Sequence, residues 1–116
     1  MAVVDITSTK RYTNVVEYIG DTMDTLNDEM RVHVNSSDLS FAIDSVGSAN
    51  FAVILEGSFD EGSNWFTINA AQTISAAGEY VYHVTGKVMT LVRVRLSAIT
   101  SGTPDVTPHI AVAYHG

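Results

Sequence analysis

With 116 residues, the chain forms one domain, long enough to bury roughly two-thirds of the surface its unfolded form exposes. Thirteen acidic residues against six basic ones leave a net charge of -7, which argues against nucleic acid and anionic membrane surfaces as partners. There is no cysteine, so a disulfide framework and a thiolate zinc site are both excluded, and the fold must rest on an apolar core.

Residues 1–13 differ in kind from the rest. Val3, Val4 and Ile6 offer a short apolar alternation, but Ser8, Thr9, Lys10, Arg11, Tyr12 and Thr13 are polar and unpatterned. They read as an arm that frays or orders on a neighbour, or as a short edge strand, with residues 14–116 forming the β-domain. No basic segment precedes an apolar run, and no stretch approaches the ~20 apolar residues that cross a bilayer. Neither a Sec signal nor a membrane span is expected.

Asn14 to Ile19 predicts the first full strand. Asp21 to Met30 offers an N-cap at Asp21 or Thr22, but its acidic carboxyl end opposes the helix dipole, which predicts a loop with one turn. From there the period is two. Met30, Val32 and Val34 alternate with Arg31, His33 and Asn35, and Leu39, Phe41 and Ile43 with Ser40, Ala42 and Asp44. Each segment has one face to bury.

The run Phe51 to Ile68, FAVILEGSFDEGSNWFTI, predicts a β-hairpin. Phe51, Val53 and Leu55 share one apolar face. Gly57, Ser58, Asp60, Glu61, Gly62, Ser63 and Asn64 supply the connection, and Trp65, Phe66 and Ile68 resume the apolar pattern. Adjacent positions on a strand point to opposite faces, so one ring of Trp65 and Phe66 is expected in the core and the other outside. Trp65 is expected to pack over the hairpin; a sugar-stacking platform is the alternative.

Tyr80, Tyr82 and Val84 alternate with Glu79, Val81 and His83; Val92, Val94 and Leu96 with Arg93, Arg95 and Ser97; and Val106, Ile110, Val112 and Tyr114 with Thr107, His109, Ala111 and Ala113. Half-buried antiparallel strands read this way. Glycines punctuate the apolar runs, and Pro108 is expected at an edge, a strand start or a bulge because it lacks an N–H to donate. The prediction is an antiparallel β-sandwich, jelly-roll-like, of about eight strands. Its core holds Phe41, Phe51, Val53, Leu55, Val92, Val94, Leu96, Ile110 and Val112.

Catalytic patterns are absent from the sequence. His33, His83, His109 and His115 show no HExxH spacing, although His33 and His83 could converge across a sheet. No serine lies in a GxSxG elbow, and the glycines form no phosphate cradle. Asp60 and Asn64 invite calcium, yet lack the spaced oxygens of an EF-hand loop. The chain is expected not to be an enzyme and to hold no metal or cofactor. The six cations are too dispersed for a phosphate track, which leaves them local pairing with carboxylates.

LEGSFDEGSNWFTI resembles the LEGSxDGxxW hairpin of small β-sandwich proteins in tailed-phage virions, and is similar to a turn in discoidin-like carbohydrate-binding domains. GEYVYHVTGKVMTLVRVRLSAITSGTPDV resembles the same virion proteins, where a tyrosine-rich strand precedes a VRVRL strand. The resemblance covers a little over half of the chain, and FDEGSNW carries one residue more than the shortest SxDGxxW form.

The resemblance implies a capsid decoration, or cement, protein that is made in the host bacterial cytoplasm and binds the major capsid protein or another virion protein, with neck, tail and fibre components as close alternatives. It also implies homotrimers. A carbohydrate-binding module for host attachment is the competing class. The candidate interface residues are Lys10 and Arg11 in the amino-terminal segment and Tyr12, Tyr18 and Tyr114, since tyrosine joins apolar area to a hydrogen-bonding tip.

Overall fold

The structure is a computed structural model that describes residues 2–34, 38–86 and 89–113. Its strands are β1 (Ile6–Arg11), β2 (Val15–Gly20), β3 (Glu29–His33), β4 (Asp38–Ser45), β5 (Asn50–Ser58), β6 (Phe66–Ile74), β7 (Gly78–Thr85), β8 (Leu91–Ser101) and β9 (Val106–Ala113). They form a five-stranded sheet in the order β1-β2-β9-β4-β7 and a four-stranded sheet in the order β3-β8-β5-β6. Without β1, this is the strand order of a jelly roll, two Greek keys folded face to face. The predicted antiparallel sandwich is therefore the observed fold, with β1 as an additional edge strand.

The alternation read from the sequence decides which faces meet. Phe41, Phe51, Val53, Leu55, Val92, Val94, Leu96, Ile110 and Val112 are each at most 1% exposed and share one core. Phe41 stacks on Tyr82 with ring centroids 4.9 Å apart. Tyr80 also packs against the core, and burial together with its neighbour Tyr80 pushes the Tyr82 hydroxyl pKa up.

Residues 21–28 make a loop with a turn, and Met23 anchors it. Met23 is fully buried and bridges Val106, while the Asp28 carboxylate accepts the N–H groups of Asp24 and Thr25 at 3.1 and 3.0 Å. Pro108 lies in β9 beyond the last pair with β2, Ile19 with His109, so only β4 flanks it there.

The amino-terminal segment pairs with its own chain, on both sheets. Val3 bridges Glu29 in parallel, with the Glu29 N–H donating to the Ala2 carbonyl at 2.9 Å and the Val4 N–H to the Glu29 carbonyl at 2.8 Å. The chain then crosses to the other sheet, where β1 pairs with β2 from Ile6 to Arg11. Polar β1 shows no alternation because it lies at a sheet edge and is exposed along almost its whole length.

Candidate functional site: the β5–β6 hairpin and the charged face beneath it

Turning Val92, Val94 and Leu96 inward sends Arg93 and Arg95 to the outer face of the four-stranded sheet. Arg31 on β3 joins them, and two buried carboxylates lie between the three guanidinium groups. Glu29 accepts from Arg31 and, at 2.7 Å, from Arg93. Glu56 accepts from Nε of Arg93 at 2.9 Å and Nε of Arg95 at 2.8 Å, and Arg95 also donates to Asn27 at 2.7 Å. Burial raises the Glu56 pKa, but the Arg95 hydrogen bond and the Arg93 and Arg95 charges outweigh it, and the net shift is downward. Half of the chain's six cations thus gather on one face, where their spacing in the sequence predicts dispersal.

The hairpin folds back over this face. Trp65 lies over Arg93, 4.0 Å from guanidinium carbon to ring centroid, and Arg31 lies 5.2 Å away. Ser58, fully buried, closes the turn from below: its Oγ donates to Asp60 at 2.8 Å and accepts the N–H groups of Gly62 at 2.9 Å and Asp60 at 3.2 Å. Asp60 in turn accepts from the Asn64 N–H at 2.9 Å and from its side-chain amide at 2.6 Å. These donors lower the Asp60 pKa to about 2, the Asn64 side chain contributing most. Glu61 and Gly62 both take left-handed backbone, at φ 59° and 96°, and the Glu61 carboxylate meets Nε2 of His33 at 2.7 Å.

Two rings remain outside this construction. Phe59 and Phe66 are 61% and 53% exposed, with centroids 5.8 Å apart. The expectation that one ring of Trp65 and Phe66 enters the core is corrected: Trp65 is half-buried on the arginines and Phe66 faces outward. The strand ladder of β6 begins only at Phe66, so Trp65 still belongs to the turn.

Of the predicted interface residues, Lys10, Arg11 and Tyr12 lie exposed at the end of β1. Tyr18 is half-buried on β2 and packs against the core. Tyr114 lies outside the described residues, as does His115. His33 and His83 do not converge, since they belong to different sheets; His83 instead meets Asp38 and Ser40, each at 3.2 Å. His109 lies 3.6 Å from Glu17. Asp60 and Asn64 are bonded to each other, and no group of three or more metal-ligating side chains gathers among the described residues.

Grooves along the described residues include three of about 340, 240 and 160 Å³. The largest runs beside the arginine cluster, between Val3, Asn27, Glu29 and Arg95. None of the three is lined by an aromatic ring.

Fold and site together define a jelly-roll domain with a braced hairpin over an ionic sheet face. No family model and no curated protein matches the chain. Among solved structures it is similar to PirA, at 9% identity over 91% of this chain and 97% of that one, with a TM-score of 0.55. It is also similar to the CBM22-1 xylan-binding domain of Xyn10C from Paenibacillus barcinonensis (12% identity, 97% and 82% coverage, TM-score 0.49). A third is a Bacillus endospore appendage protein of disulfide-linked pili (9% identity, 99% and 98% coverage, TM-score 0.41). At these identities the likeness is one of fold.

Proposed function

We propose that the protein is a structural component of a tailed-phage virion: a decoration protein that docks on the head lattice through the tip of its β5–β6 hairpin. The observation that carries this reading is the exposed pair of Phe59, on a turn whose backbone is fixed by Ser58, Asp60 and Asn64, and Phe66, the first residue of β6. Two adjacent rings on a preorganised hairpin lose little freedom on docking and offer the large apolar contact that anchors protein interfaces. The sequence resemblance of this same hairpin to virion proteins supplies the partner. In this reading the protein is not an enzyme; the charged cluster beneath the hairpin serves to brace it.

A carbohydrate-binding role for host attachment is the second reading, and the same exposed rings favour it. It needs a polar groove beside them, and neither ring lines any of the three grooves.

The test is co-sedimentation with particles from the source, followed by cryo-electron microscopy. Jelly-roll density on the head, lost when Phe59 and Phe66 are both replaced by serine in a protein that still folds, is the expected result. Failure of the wild-type protein to associate with any particle, or retention of glycan rather than heads, overturns it.

A further inference from the structure

Arg31 and Arg93 stand directly opposite one another on β3 and β8, and like charges in that position repel across a sheet. Their guanidinium groups share Glu29 as acceptor and Trp65 as neighbour. Glu29 and Glu56 offset the repulsion, but they are two carboxylates among three guanidinium groups. The cluster therefore keeps one positive charge, on a chain whose net charge is -7.

Its hydrogen bonds also leave donors over. Glu29 and Glu56 accept the Nε–H of all three arginines, and Glu29 accepts from Nη1 of Arg93 as well. Arg95 directs Nη1 to Asn27 and Nη2, at 3.4 Å, to Glu56. Among the described residues nothing accepts from either terminal nitrogen of Arg31, from Nη2 of Arg93 or from the side-chain nitrogen of Asn27. These nitrogens reach solvent, since Ser97 Oγ is the one sealed polar side-chain atom without a partner among the described residues.

The three arginines and Asn27 line the largest of the three grooves, of about 340 Å³, near the lower end of the range for small-molecule sites. Both nearby carboxylates are already engaged, so the groove offers donors without acceptors. Ala2 and Val3, held along β3 by backbone bonds to Glu29, supply its apolar wall. Arg31 is the most open of the three arginines, its side chain 37% exposed against 14% for Arg93 and 22% for Arg95. A carboxylate is an acceptor-only group that matches the guanidinium fork. The single surplus charge suits a monoanion, and the acidic chain around it repels polyanions.

We propose that this groove binds a small monocarboxylate, the carboxylate bridging the free nitrogens of Arg31 and Arg93 and the rest of the molecule lying along Ala2 and Val3. The anion relieves the repulsion between the two opposed arginines. The site is separate from the docking tip, because neither Phe59 nor Phe66 lines the groove.

Nuclear magnetic resonance titration of the full chain tests it, with pentanoate and D-glucuronate as probes and pentanamide and D-glucose as their neutral counterparts. A carboxylate should shift the resonances of Val3, Asn27, Arg31 and Arg93 saturably, less strongly as salt is raised, and its neutral counterpart should not. The tighter of the two acids tells an aliphatic source from an acidic sugar. Arg31→Gln should weaken binding about tenfold, the loss of a charge-assisted fork, and Arg31→Lys, which keeps the charge alone, by less. Arg93 still pairs with Glu29 in both variants, and unchanged melting temperatures serve as the folding control. No saturation by either acid up to about 0.1 M, well beyond a millimolar Kd, would overturn the proposal. So would equal shifts from the neutral counterparts, tighter binding of inorganic phosphate, or unchanged affinity in folded Arg31→Gln.

Discussion

Trp65 lies face-on over the guanidinium of Arg93, 4.0 Å from its centroid, and this contact fastens the hairpin tip to the sheet. Arg93 is simultaneously held by Glu29 and Glu56, so the plane on which the indole rests is fixed from two sides. A guanidinium with little solvent access attracts an aromatic face more strongly than an exposed one does.

Replacing Trp65 by alanine should therefore cost about 2 to 3 kcal/mol, combining a partly desolvated cation–π contact with lost apolar area. Urea denaturation followed by circular dichroism measures it, since this is the only tryptophan in the chain. A cost within about 0.5 kcal/mol, the range of ordinary surface changes, would show the tip is held by its hydrogen bonds alone.

Acid should loosen the hairpin in a defined window. The Asp60 pKa falls from 3.8 to about 2, and that of Glu56 is lowered as well. A lowered folded-state pKa contributes stability above the unfolded value and loses it as the pH drops through the folded one. Melting temperature should thus be insensitive to these two groups from neutral pH down to about 5, then fall between about 5 and 2, as the pH passes the unfolded values of 4.5 for Glu56 and 3.8 for Asp60. Asp60→Asn should be less stable at neutral pH and show a shallower acid decline. Parallel curves for the two proteins would dismiss the linkage.

Two glycines are required by space rather than by backbone angle. A Cβ at Gly57 would stand 2.5 Å from Cδ1 of Ile68 and 2.7 Å from Cγ of Met89, both on side chains able to turn away. At Gly20 it would meet Sδ of Met30 at 2.6 Å and the Pro108 ring at 2.9 Å, and the ring is rigid. Both substitutions to alanine should destabilise by about 1 to 3 kcal/mol, Gly20→Ala by more than Gly57→Ala. Equilibrium unfolding of the pair gives the order directly.

Leu55 and Val94, each fully buried, sit in register with one another across β5 and β8. Aspartate at either position buries a charge without a partner, and no cooperative transition should remain in thermal melts. A folded variant would mean that the core lies on the opposite face of these strands.

The core was legible in the sequence because alternation is unbroken in β4 and β9 and from Val92 to Ser97 of β8, and a period of two admits only one inward set. β1 was not assigned with certainty, since ITSTKR at an edge buries almost nothing and leaves no periodic trace. The charged face was half legible. Alternation placed Arg93 and Arg95 outward, but their union with Arg31, Glu29 and Glu56 depends on β3 and β5 flanking β8, a fact of topology that no local window contains. Phe59 carried no signal of its own, being a lone apolar residue in a polar turn.

In LEGSFDEGSNW, Glu56 ties down two arginines, Gly57 leaves room for Ile68, Ser58 and Asp60 close the turn, Gly62 takes the left-handed bend and Trp65 caps the sheet. Phe59 alone among its apolar members bears no part of that structure. Mount and cargo are separate here. A lineage could exchange the residue at position 59, and its neighbour at 66, for others of different size or charge without refolding the loop beneath them, and under the docking proposed above that would change the partner while the frame that presents the tip stays the same.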